Sequence, residues 1–111
     1  MALQEVSRNT FPQLYNNALN AQLLFMIGKG KESGVHLSAL IKATGADNRT
    51  VRKSIEHLRR SGVVICADTV AGYYYPENTE ELREYIQQEK RRAISTLHTL
   101  KTAQRLNKEV S

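Results

Sequence analysis

The chain has 111 residues, 41% hydrophobic and 24% charged, with a formal net charge of +5. That length suits one domain with one core, and the composition excludes wholesale disorder. The longest apolar run, "LLFMI" at 23–27, falls far short of the roughly 20 residues of a membrane span, and the lone Cys66 excludes an internal disulfide or a multi-cysteine metal site.

The N-terminus carries no apolar signal segment, so the expected location is the cytoplasm. Excess positive charge points to a polyanionic partner. Its placement is uneven: Arg49, Arg52, Lys53, Arg59 and Arg60 crowd a central segment, five glutamates occupy 77–89, and Lys-Arg-Arg follows at 90–92.

In chain order, "FPQLYNNALNAQLLFMIGKG" (11–30) predicts a helix over about 12–28. Thr10 is its candidate cap, Pro12 lies in the first turn, and Leu14, Ala18, Ala21 and Phe25 form its inner face. Gly28 and Gly30 stop the pattern, and 29–34 reads as a loop. "GKGKESG" lacks the Gly-Lys-Ser/Thr ending and the preceding strand of a phosphate loop.

Ser38 is the expected cap of a short second helix whose inner face is Leu40 and Ile41, closed by a left-handed Gly45. Asp47 or Asn48 caps a third helix with Val51, Ile55 and Leu58 inward and Arg49, Arg52, Lys53, Glu56 and Arg60 outward, ending at Ser61-Gly62. "VVICADTVAGYYYP" (63–76) predicts a small β-hairpin closed by Pro76. Thr79 caps a long final helix reaching about Leu106, acidic at its start and basic at its end.

Two helices on a tight glycine turn, the second basic on its outer face, followed by a hairpin, describe a winged helix-turn-helix. The fold class expected is mainly α with a small β-hairpin, plus a long C-terminal helix, in a single domain over 1–111 (core 12–76, helix 79–106). The carrying stretch is "LSALIKATGADNRTVRKSIEHLRRSGVV". With its continuation "GYYYPENTEELREYI", it resembles winged-helix DNA-binding proteins, especially small bacterial and bacteriophage regulators. The resemblance covers about residues 35–100 and implies DNA binding through the second helix of the motif. The sequence departs from that pattern at Ile41, where a small residue commonly sits, and at the wing tip, where Asp68, Thr69, Val70 and Ala71 offer no cation.

The major groove admits one α-helix, whose arginines and lysines reach base edges or phosphates. Arg49, Thr50, Arg52 and Lys53 stand where base contacts are usual. Asn48 can cap or read an adenine, and its position favours the cap. Arg59 and Arg60 suit phosphate, which positions without specifying.

Tyr73, Tyr74 and Tyr75 are read as strand residues packing a core rather than a base-stacking platform, because the glutamates that follow would repel a nucleic-acid backbone. His36, His57 and His98 are too scattered for a metal site, and no catalytic constellation, cofactor motif or effector pocket is visible. Ile86, Ala93, Leu97 and Leu100 on the final helix are the candidate dimerisation face, since a helix this long outruns so small a core.

The expected function is therefore sequence-specific binding of double-stranded DNA, as a homodimeric transcriptional regulator that occludes an operator, without catalysis. A replication or partition accessory of a phage or mobile element is the alternative. A protein-interaction module on the same scaffold is the second.

Overall fold

The computed structural model describes residues 11–110, with side chains from Ala18 onward, so Thr10 and the Leu14 side chain lie outside the described residues. The chain divides after Glu77 into two compact units.

In the first unit, helix α1 spans Phe11–Met26. Its Leu23 is buried together with Ile27 just past its end, with Leu19 and Met26 packed beside them. The inner face expected from Ala18, Ala21 and Phe25 is incorrect: both alanines are exposed and Phe25 is 91% exposed. Two stripes of helical period run along this segment, and the one richer in branched aliphatics buries more apolar area.

A two-residue strand β1 (Gly28–Lys29) and a 3₁₀ turn (Lys31–Ser33) occupy the expected loop. Helix α2 spans Leu37–Thr44 and helix α3 spans Asn48–Arg60. Gly45, at φ 74°, donates its N–H to the Ile41 carbonyl at 2.9 Å and so turns the chain between them. Ser38 does not cap α2. Val35 and Tyr73 exchange both backbone hydrogen bonds at 2.8 Å, which keeps the chain extended up to His36, and α2 begins at Leu37.

The wing is β2 (Cys66–Asp68) and β3 (Gly72–Tyr75), antiparallel, with Cys66 opposite Tyr74. β3 also pairs in parallel with β1, so the hairpin becomes a three-stranded sheet of order β1-β3-β2. At the tip the Asp68 carboxylate accepts the Val70 and Ala71 N–H groups at 2.7 and 3.1 Å, which holds it below the usual carboxylate range. Gly72 follows at φ 83°, with Val35 backbone 2.6 Å from where a Cβ would stand. Only glycine fits there.

The core joins Leu23 of α1 and Ile27 just beyond it, Leu40 of α2, Val51, Ile55 and Leu58 of α3, and Ile65. Tyr73 and Tyr75 pack against it half-buried, while Tyr74 and its cross-strand partner Cys66 are themselves buried. The Tyr75 hydroxyl donates to the Leu24 carbonyl at 2.5 Å, satisfying an acceptor that the end of α1 leaves open. Burial lifts this phenol above its ordinary pKa.

The second unit is one helix, α4, Thr79–Val110, extending four residues past the expected end. Its cap is Asn78 rather than Thr79: the Asn78 side chain accepts the Glu81 N–H at 2.9 Å. None of its residues is buried.

Candidate nucleic-acid interface

Helix α3 sorts its residues cleanly. Val51, Ser54, Ile55 and Leu58 point into the core, while Asn48, Arg49, Arg52, Lys53, Glu56 and Arg60 are exposed. The period that buries the first set dictates the second, because residues three and four apart share a face. The N-terminus is fixed by Asp47, whose carboxylate accepts the Thr50 N–H at 2.7 Å. Thr50, and to a lesser degree Arg49, hold that carboxyl below the usual range. Asp47 is thus the cap, and Asn48 is the first helical residue with its side chain exposed.

The basic residues divide into three groups. Arg49, Arg52 and Lys53 stand in solvent along the first half of α3. Arg60 is exposed but holds Glu56 at 2.8 Å across one helical turn, and Lys53, Glu56, His57 and Arg60 line a shallow depression. An exposed pair of this kind is weak and can exchange Glu56 for a phosphate. Arg59 is different. Its Nε donates to the Ile65 carbonyl at 2.9 Å, and its guanidinium lies 6.0 Å from the centre of the Tyr73 ring. That side chain ties the end of α3 to the approach of the wing. Thr50 is half-buried, with its backbone engaged by Asp47.

The wing tip presents Val70, 83% exposed, and no cation of its own. Lys31 and His36 nevertheless line a hollow with Asp68, Val70 and Ala71. Pairing of β1 and Val35 with β3 delivers them there from sequence positions more than thirty residues away. Nothing in the local sequence signals this. Lys31 adds a positive charge beside a tip that is otherwise neutral or acidic.

The expected dimerisation residues Ile86, Ala93, Leu97 and Leu100 are all exposed on α4, and their spacing puts them on one stripe. Among the described residues no group of His, Cys, Asp and Glu is placed to hold a metal, and no helix is long and apolar enough to cross a membrane. The site as built can neutralise phosphates and donate hydrogen bonds to base edges.

No curated protein and no solved structure matches the chain. A family model does: the B-block binding subunit of TFIIIC, over residues 17–99, which takes in the winged-helix core and the first part of α4. The match supports DNA binding and transcription, and lends no support to a phage or mobile-element origin or to a bacterial operator regulator. Since it spans most of the chain, the chain belongs to the family of B-block binding subunits of TFIIIC, a winged-helix, DNA-binding and non-catalytic family of transcription proteins.

Proposed function

We propose that the chain recognises a promoter element in duplex DNA by laying α3 in the major groove, with Arg49, Arg52 and Lys53 as the principal contacts. Asn48 and Thr50 stand at the groove-facing start of the helix, and Arg60 reaches a phosphate once Glu56 releases it. The observation that carries this reading is the separation of α3 into a wholly buried apolar side and an exposed cationic side. A helix that only braced the core would gain nothing from three exposed cations on its first two turns, whereas groove entry requires them. The family description gives the class of site: an element of the B-block kind.

On this reading the protein acts by occupying its site, without chemistry. Two copies joined through Ile86, Ala93, Leu97 and Leu100 would present two α3 helices to the duplex. It works wherever the template is held, which is the cytoplasm of a cell without a nucleus and the nucleus otherwise.

Titration of duplexes with and without a B-block element tests the proposal. Arg52→Ala or Lys53→Ala should each weaken binding by about 1–3 kcal/mol, roughly 5- to 150-fold. Undiminished binding by the double variant would remove α3 from the interface.

A further inference from the structure

From residue 90 to residue 108, α4 carries Lys90, Arg91, Arg92, Lys101, Arg105 and Lys108 and not one carboxylate. We propose that this stretch is a second DNA contact, a sequence-independent grip on the sugar–phosphate backbone. It adds to the contacts of α3 and rests on the DNA-binding reading above.

The argument begins with what an isolated helix surface ordinarily requires. A solvated helix gains from oppositely charged residues three and four apart and loses by a similar amount where they are alike. Here Lys101 and Arg105 are four apart and Arg105 and Lys108 three apart, so the repulsion is built in. The helix macrodipole favours cations only within the last turn, which accounts for Lys108 but not for Lys101 or the 90–92 cluster. Arg92 is tethered to Glu89 at 3.3 Å and Arg105 has Glu109 four residues on, whereas Lys90, Arg91, Lys101 and Lys108 have no carboxylate three or four residues away.

The spacing suits a backbone. Lys101, Gln104, Arg105 and Lys108 recur at three and four and share a face, lining one shallow concavity with Asn107. Every one of these residues is exposed. From residue 90 to 108 the helix rises about 28 Å, most of a turn of B-DNA. Three of the six cations also lie beyond residue 99, where the family match ends, so this grip belongs to the chain rather than to the shared core.

The salt dependence of binding by the full chain tests the proposal. Each phosphate contact contributes about −0.9 to the slope of log K against log salt. The triple variant Lys101→Gln/Arg105→Gln/Lys108→Gln, with its helicity checked by circular dichroism, should bind B-block and scrambled duplexes more weakly by the same factor. Its slope should be shallower by between two and three. Arg52→Ala, by contrast, should lower binding to the B-block duplex disproportionately. An unchanged slope in the triple variant, with the wild type binding normally, overturns the second contact alone. A wild type that binds no duplex at low salt overturns both it and the reading of α3.

Discussion

The Nε of Arg59 donates to the main-chain carbonyl of Ile65 at 2.9 Å, joining the last turn of α3 to the residue just before β2. A charged donor on a carbonyl contributes about 1.5–3 kcal/mol, and stacking over Tyr73 adds to it. Arg59→Ala should therefore lower the thermal midpoint clearly. Well below that midpoint, the folded variant should bind duplex with the salt slope of the wild type. Arg59→Lys should not restore stability, since an ammonium has neither the planar fork nor the reach of a guanidinium. A shallower salt slope at unchanged stability would return Arg59 to the phosphates.

Two hydroxyls, one buried in the core and one at its edge, should answer deletion with opposite signs. Ser54 is 3% exposed, and its Oγ has no hydrogen-bond partner among the described residues. Ser54→Ala removes a desolvated, unsatisfied group and improves helix propensity, so a gain on the order of 1 kcal/mol is expected. Tyr75→Phe deletes the donor to Leu24 and leaves a carbonyl at the end of α1 without its partner, which should cost about 1 kcal/mol. Chemical denaturation of the two variants beside the wild type reads both. Destabilisation by Ser54→Ala, or indifference to Tyr75→Phe, would show the polar accounting of this core to be wrong.

Acid should weaken the fold at Asp47 and Asp68. Asp47 and Asp68 are both held below the ordinary carboxylate value, by the Thr50 hydrogen bonds and by the Ala71 and Val70 N–H groups respectively. A group whose folded pKa is depressed binds protons more readily in the unfolded chain. Its stabilisation is complete above about pH 4 and drains away as pH falls toward the folded value. Thermal midpoints measured from pH 6 down to pH 2 should fall in that window. Asp47→Asn, which keeps a capping oxygen but cannot titrate, should flatten the acid limb while staying near wild type at neutral pH. An identical acid limb in the variant would exclude Asp47 as a contributor.

What was legible in the sequence, and what was not, follows from the range of the interactions involved. Gly45 and the Val51–Ile55–Leu58 spacing are local signals, and both stand as read. The β-prone runs either side of "ADTVAG" likewise gave the wing. β1 was invisible because Gly28 and Lys29 have no strand propensity of their own; they become a strand only because Tyr74 and Tyr75 lie alongside. The same pairing carries Lys31 to the wing, which is why the tip read as lacking any cation nearby. The caps at Ser38 and Thr79 failed by one or two residues, with an extended Val35 and a better-placed Asn78 deciding the boundaries. The hydrogen bond of Arg59 to Ile65 has no local signal either, because it depends on how far a long side chain reaches back across the turn.

Association through α4 should be separable from DNA recognition. Ile86 is 43% exposed, Leu97 54% and Leu100 49%, and with Ala93 they make an apolar stripe on a helix that rises about 48 Å over its 32 residues. Apolar surface of this extent in water is stabilised by pairing with a like surface. Sedimentation of the full chain without DNA should give a dimer at micromolar concentration, and Leu97→Ser/Leu100→Ser should shift it to monomer. Because neither residue lies on α3, the monomeric variant should keep its contact with a single half-site and lose only the gain from engaging two. A wild type that stays monomeric at high concentration would leave that stripe to another partner. Loss of half-site binding in a folded monomer would mean that pairing helps to shape the recognition unit itself.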